Sequence, residues 1–340
     1  MQSSSQQAAE AREGSTYESG CGYLPTKELD IEHVPAAKPL PCPEKIGVAS
    51  PTLVFYDVET TSLAFQAEIV QLAACCGQKT LNRFVMPGQP ISKGASKVTG
   101  ITKERQCGKD VLCQNGKIVS STTCSTALTD FTQWITEDVG AGEHGVVLCA
   151  HNGESFDMRV LLLAAAASGK SQNLKAVVRG FADTLPIFKK EIPGKKSYSH
   201  GKLFEELVGG KYQAHDALED VTALQALVAK TQLTTKLASS ALTFTLAQCV
   251  IDHRCLVHQL TRDLTRIPAL SKAMVAKLAG TGLSYDHLQV VYTRQSDEGL
   301  RAVLSEKVNG KARVTKCKKI LDAIMEHFSS KAAQEGKAET

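Results

Sequence analysis

The sequence predicts an α/β domain in which helices flank a mixed sheet, followed by a helical extension. Three features predict it. Apolar and β-branched runs come first as a strand meander, later runs alternate with helical patterns, and past residue 232 the periodicity is helical to the end. The polar stretch 1–48, rich in Ser, Gln, Ala, Glu and Pro with no sustained period, reads as a disordered tail. The α/β domain then covers 49–232, the helical domain 233–330, and a short disordered tail 331–340.

The first strand is Leu53-Val54-Phe55-Tyr56-Asp57-Val58-Glu59, bounded by Pro51 and the Thr60-Thr61-Ser62 turn. Glu68–Ala74 and Leu81–Met86 read as two further strands, joined as a hairpin through Gly77-Gln78. Ser92–Thr99 is a short helix stopped by Gly100, and the polar segment 103–123 reads as a loop. Leu128, Phe131, Trp134 and Ile135 fall at helical spacing within Thr126–Val139. Gly145–Ala150 is the fourth strand, Phe156–Ala167 an apolar helix, and Ala176–Ala182 the fifth strand. Asp183 caps a short helix and Leu203–Val208 forms another. Asp216 and Glu219 have capping-box spacing for a helix over Ala217–Thr231. Beyond it, Pro268 opens a helix that reaches Ala279, and Tyr285 begins the next after Gly280-Thr281-Gly282. Two helices about such a turn resemble a helix-hairpin-helix unit that binds nucleic-acid backbone; plain scaffold is the alternative.

The formal charge of +4 permits nucleic-acid binding without demanding it. The eleven cysteines follow no regular spacing, the first residues have no apolar run of a secretory signal, and no stretch of about 18 apolar residues is present. A reducing cytoplasmic or nuclear compartment and no membrane association are expected. Cys249, His253, Cys255 and His258 would point to opposite sides of one helix, so no zinc site is expected there.

The chemistry starts at Asp57 and Glu59. Strand residues two apart share a face, so both carboxylates leave the sheet end side by side. Asp157 opens the helix after strand four, and Asp220 lies in the first turn of the helix over Ala217–Thr231. Singly, each has an ordinary role as a helix cap or surface charge. Together at one sheet edge they form a set of hard oxygen ligands without cysteine, which suits Mg²⁺, with Mn²⁺ as a substitute. Two such ions about 3.5–4 Å apart activate a water and stabilise the leaving oxygen in phosphodiester cleavage. His215, in the loop before the Asp220 helix, is the candidate general base.

Asp57-x-Glu59-Thr60-Thr61, Asn152-x-x-x-Phe156-Asp157 and His215-x-Ala217-x-x-Asp220 resemble the three motifs of DEDDh 3′→5′ exonucleases. The segments Ala95–Ile101, Ala182–Phe188 and Ser197-Tyr198-Ser199 are similar to those of three-prime repair exonucleases and of the related PML-like exonucleases. The resemblance covers about residues 50–232. It implies a ribonuclease H-like fold with a mixed five-stranded sheet and a helical C-terminal extension. It implies two Mg²⁺ ions on Asp57, Glu59, Asp157 and Asp220, with His215 as base, and a nucleic-acid substrate with a free 3′ end, DNA favoured over RNA. By position, Leu63 would wedge against the terminal base, Val98 and Phe156 would pack the last nucleotide, and Thr60 and Thr61 would contact its sugar through backbone groups. Core packing is the alternative for Val98 and Phe156.

There are departures from the family. Ser62 stands where a glycine usually follows Thr-Thr, and a proline-rich insertion before the His215 motif is absent, leaving a homodimer possible but unsupported. Lys189, Lys190, Lys195 and Lys196 form a basic loop that could steer phosphates, and Lys311–Lys319 could be a targeting patch. The expected activity is release of nucleoside 5′-monophosphates from single-stranded or frayed DNA 3′ ends. A 3′→5′ exoribonuclease and a non-catalytic nucleic-acid-binding or scaffold module are the alternatives.

Overall fold

In a computed structural model, which describes residues 33–36, 46, 51–141 and 145–338, strand β1 (Thr52–Thr60) is the centre of a mixed sheet. Strands β2 (Ile69–Cys76) and β3 (Lys79–Val85) follow it as an antiparallel meander, as the apolar runs and Gly77 require. Helix α1 (Lys93–Thr99) begins at Ser92, whose side chain accepts from the Ala95 amide, and ends at Gly100 with φ 70°. That left-handed cap is a glycine conformation.

The segment 103–123, expected as a loop, is mostly strand. Strands β4 (Ile101–Gln106), β5 (Lys109–Gln114) and β6 (Lys117–Val119) form a separate antiparallel sheet, and β7 (Ser121–Thr122) pairs parallel to β3. The turns are Cys107-Gly108 (φ 48° and 79°) and Asn115-Gly116 (φ 50° and 77°). Positive φ at both central residues is what a two-residue hairpin loop needs, and Asn-Gly is its strongest signal. Polar composition hid these strands because much of the small sheet faces solvent.

Helix α2 (Cys124–Trp134) continues as a π-turn over Ile135–Val139 closed by Gly140. Strand β8 (Val146–Ala150) is wholly buried and runs parallel to β1. Helices α3 (Asp157–Ala167) and α4 (Ser171–Val177) lead into β9 (Val178–Asp183), parallel to β8. The fifth strand therefore starts later than Ala176, because the preceding turn is helical. Helices α5 (Thr184–Glu191), α6 (His200–Leu207), α7 (Ala217–Thr231) and α8 (Thr234–Ser240) follow, and β10 (Leu242–Thr243) pairs antiparallel with β9. The sheet order is β10-β9-β8-β1-β2-β3-β7. The five expected strands are all in it, with β7 and β10 added at its edges. This is the mixed α/β, ribonuclease H-like architecture, with helices flanking the sheet and a helical region after it.

Alternation along β1 sorts its side chains. Phe55 joins Ala73, Cys75, Val147 and Cys149 against Val221, Leu224, Leu227 and Val228 of α7. Tyr56 points to the other face, edge-on to Phe181. Asp57 and Glu59 share the Phe55 face, so they emerge where α7 begins.

The described residues divide into two units, one within Cys42–Gln248 and one joining Cys249–Thr340 to the N-terminal stretch; the division falls inside α9 (Phe244–Leu264). The second unit is built from α10 (Lys272–Gly280), α11 (Tyr285–Ser305), the short β11 (Lys307–Val308) and β12 (Lys311–Ala312) hairpin, and α12 (Lys318–Ala338). Four expectations change here. The first helix starts at Lys272, not Pro268, because Ser271 caps the Met274 amide. Helix α12 runs to Ala338, past the boundary expected at residue 330. The Lys311–Lys319 patch includes Arg313, which is buried and donates to the carbonyls of Thr281 and Pro35.

The fourth concerns the tail 1–48, most of which lies outside the described residues. Within 33–36, Val34 is fully buried in the helical core with Leu278, Leu283, Leu288 and Phe328. The Gly280-Thr281-Gly282 turn is enclosed by its own unit: His253 Nε2 lies 2.9 Å from the Gly280 carbonyl, Arg313 holds Thr281, and Pro35 abuts Gly282. Among the described residues no helix is long and apolar enough to cross a membrane.

Gly180 of β9 has no room for a methyl group. A Cβ there would strike the Leu242 carbonyl of β10 and approach Ile46 Cδ1 to 2.6 Å. Gly180→Ala is expected to lower stability in urea unfolding by about 1–3 kcal/mol, the range for overpacking a well-filled site.

Candidate metal centre

The sheet edge gathers the carboxylates that the motifs single out. Oxygen atoms of Asp57 and Glu59 on β1 and of Asp220 on α7 all lie within 4.8 Å of one another. Asp157, first residue of α3 and 4% exposed, reaches the same strand from behind: its Oδ1 accepts the Val58 amide at 3.3 Å. It stands one hydrogen bond from the cluster, at the strand residue between the two β1 carboxylates.

Each carboxylate is placed by local chemistry. Asp183, at the end of β9, accepts the amides of Asn152 (2.9 Å) and Glu154 (3.1 Å) and so shapes the loop that delivers Asp157. Asp216 caps α7 by accepting from the Leu218 and Glu219 amides. Gln71, fully buried and paired across the ladder with Glu59, accepts the Ala217 amide at 3.3 Å and fixes the same helix start. Asp220 is held by three groups: the Tyr212 hydroxyl at 2.9 Å on Oδ1, His200 Nδ1 at 3.3 Å, and the His215 amide at 2.7 Å on Oδ2.

His215 lies in the loop before α7 with φ 69°, exposed, and ties its backbone rather than its ring to Asp220. Tyr212 and His200 were not legible as site residues. They belong to no motif, and only the fold stacks His200 with Tyr212 (5.3 Å between ring centres) and with His151 (5.5 Å). Burial, with His200 beside it, lowers the His151 pKa to about 4, and its ring is bonded to Thr184 and to the Tyr198 carbonyl.

The remaining motif residues divide by exposure. Thr60 and Thr61 are buried; Thr60 Oγ1 donates to the Ser62 carbonyl, and Thr61 has its amide on Glu68 and its carbonyl on Ser92. Ser62 is not in a positive-φ conformation, so its place needs no glycine. Leu63 (87% exposed) and Val98 (51%) stand in solvent, whereas Phe156 is half-buried and faces the Arg159 guanidinium at 5.5 Å. Of the basic loop, Lys195 is engaged by Glu206 at 2.8 Å.

Electrostatics show what the cluster lacks. Burial, then the charges of Asp157, Asp220 and Glu59, push the Asp57 pKa well above the usual range. Burial, with Asp220 and Asp157 beside it, raises Glu59 to about 8. Burial raises Asp157 to about 7, against the opposing Val58 hydrogen bond. Among the described residues no lysine or arginine pairs with any of the four. An all-oxygen, anionic set without a lysine or arginine partner fits a divalent ion of the Mg²⁺ or Mn²⁺ class.

Residues 52–206 match the family described as the Exuperantia RNAse H-like domain, and residues 262–331 match the PML C-terminal domain. The maternal protein exuperantia of Drosophila melanogaster is 29% identical over 161 residues, 44% of this chain and 30% of the relative. The DNA polymerase III PolC-type of Listeria welshimeri is 29% identical over 189 residues, 53% of this chain and 11% of the relative. The chain thus spans about a third or less of these curated relatives. Among solved structures, Exonuclease X in complex with 5′-overhanging duplex DNA gives a TM-score of 0.35 at 19% identity, covering 58% of this chain and 99% of that one. E. coli Exonuclease I with a dT13 oligonucleotide gives 0.42 at 15%, covering 54% and 41%.

The raised carboxylates make the metal-free protein pH-sensitive. A group whose folded pKa exceeds its unfolded one contributes stability below the unfolded value and loses it as pH rises through the folded value. In EDTA the unfolding temperature is therefore expected to fall from pH 5 towards pH 9, and Asp57→Asn to flatten that fall. Mn²⁺ at a hundred times its Kd should restore about 2.7 kcal/mol at pH 8, and Asp57→Asn should lose that gain. Equal melting of both proteins with and without Mn²⁺ would count against a metal centre.

Proposed function

We propose that this chain is a metal-dependent 3′→5′ exonuclease that hydrolyses phosphodiester bonds at DNA 3′ ends. The observation that carries the reading is the approach of Asp57, Glu59 and Asp220 to within 4.8 Å, with Asp157 bonded to the strand between the first two. Such a set is unfavourable by itself and becomes favourable around divalent cations. The match to a ribonuclease H-like family over 52–206 supports the same reading.

Asp57, Glu59, Asp157 and Asp220 would hold two Mg²⁺ ions, which supply a water acidic enough to attack at neutral pH and stabilise the charge on the leaving 3′ oxygen. The protein's own residues do the rest. His215, on its exposed loop, would take the proton of the attacking water as general base. Its amide keeps Asp220 turned towards the cluster while the ring is free of the helix. Leu63 and Val98 would present apolar surface to the terminal nucleotide, and half-buried Phe156 would pack against it. Thr60 and Thr61, buried at the end of β1, would meet the sugar through backbone groups. The product is a nucleoside 5′-monophosphate.

The test is digestion of 5′-labelled single-stranded DNA and RNA with Mg²⁺, Mn²⁺ or EDTA. Stepwise shortening from the 3′ end is expected with either metal and none with EDTA. Asp57→Ala should abolish it, and His215→Ala should slow it by about 10²–10⁴-fold, the usual worth of a general base. Undiminished cleavage by Asp57→Ala would overturn the assignment, and faster loss of RNA than DNA would move the substrate to the exoribonuclease reading.

A further inference from the structure

The β4–β6 sheet has no part in the chemistry, yet it is built onto the site. Its register sorts its residues into two faces. Ile101 and Leu112, both fully buried, pack with Val119 against Val70, Phe84 and Met86, which seats the small sheet on the nuclease core. At its other end, Gln114 Nε2 donates to Asp216 Oδ2 at 2.6 Å, so β5 is bonded to the cap of α7 next to His215. The Asn115 amide donates to the Gly100 carbonyl at 2.9 Å, joining the β5–β6 turn to the end of α1, two residues from Val98. Lys117 pairs across the ladder with Gln114. Directly opposed side chains share a face with Cβ atoms about 5 Å apart. Lys117 thus flanks the residue that touches the His215–Asp216 corner.

Charge collects on this piece. Lys93, Lys97, Lys103, Arg105, Lys109 and Lys117 stand between residues 93 and 119 against Glu104 and Asp110 alone, a balance of +4 that equals the formal charge of the whole chain. Lys103 is engaged by Asp110 at 3.3 Å and by the Pro87 carbonyl. The other five cations are exposed, and none pairs with a carboxylate in the described residues. On the opposite face of the sheet Ile118 is 62% exposed; with Leu63 and Val98 it makes up the large hydrophobics that the described chain leaves in solvent. Arg105 and Lys117 fall on one face of the small sheet by its register, and unpaired cations there, beside an anionic cage, complement a polyanion.

We propose that α1 and the β4–β6 sheet form a platform for the phosphate backbone of single-stranded nucleic acid leading away from the terminal nucleotide, with Lys117 at the rim of the site. The proposal rests on the nuclease reading for its direction. Binding can be measured without cleavage, so the two fail separately.

The experiment compares the full chain with Arg105→Gln/Lys117→Gln, which share a face of the small sheet, and with a control, Lys175→Gln/Lys230→Gln, on α4 and the end of α7. Anisotropy of a labelled oligothymidylate in EDTA reads binding over a salt series, and hydrolysis of the p-nitrophenyl ester of thymidine 5′-phosphate in Mg²⁺ reads chemistry on a substrate too short to reach the platform. All three proteins should melt alike, because the substituted side chains are exposed. The platform variant should bind about tenfold more weakly at low salt, with the log–log salt slope shallower by about 0.7 for each phosphate no longer neutralised. Its ester hydrolysis should match wild type, and the control should bind as wild type. Equal binding by the platform variant and the control overturns the proposal. So does a loss of ester hydrolysis that tracks the loss of binding. A wild type that hydrolyses neither substrate defeats the nuclease reading, and the binding comparison still decides the platform.

Discussion

Mutual repulsion among four carboxylates at the end of β1 is the constraint to which the rest of the α/β unit answers. Two unit charges 4 Å apart cost about 4 kcal/mol at an effective dielectric of ~20. A hydrogen bond to a charged group returns only about 1.5–3 kcal/mol. The donors that reach the cluster, from Val58, Tyr212 and His215, therefore orient the carboxylates without offsetting their repulsion. What keeps the groups together is the surrounding fold: the wholly buried β8, the packing of α7 on Phe55, and the Gln71 and Asp216 bonds that fix where α7 starts. The proton affinities follow from the same arrangement, with Glu59 at about 8 and Asp157 at about 7. A divalent cation among these groups would relieve the repulsion, which is the basis of the proposed metal centre.

Much of this was legible before any coordinates. The i, i+2 spacing of Asp57 and Glu59 fixes their common face through the strand period alone, and the capped start of α7 at Asp216 fixes where Asp220 points. The five core strands could be read because buried parallel strands are continuous apolar runs. Less legible were features set by neighbours distant in sequence. Gln71 belongs to no motif, and its role depends on lying opposite Glu59 in a ladder. Tyr212 and His200 matter only because α6 and the loop after it stack beside Asp220. The β4–β6 sheet was missed for a different reason: its strands are polar, and the Asn115-Gly116 turn that marks the hairpin was outweighed by composition.

The helical unit teaches a related lesson about boundaries. Composition assigned the whole N-terminal stretch to a tail, yet Val34 is fully buried and the Pro35 carbonyl takes a hydrogen bond from buried Arg313. Four residues in a polar, proline-rich segment give no periodicity to detect; only partners far along the chain make them core. The same packing encloses the Gly280-Thr281-Gly282 turn and favours scaffold over backbone binding for that motif.

The central claim is that the β1 carboxylates and their two partners form a cage for two cations. Crystals soaked in Mn²⁺ and measured at the manganese absorption edge test it most directly. Two anomalous peaks about 3.5–4 Å apart, ringed by Asp57, Glu59, Asp157 and Asp220, are the expected result. No peak at these residues under saturating Mn²⁺ would contradict it.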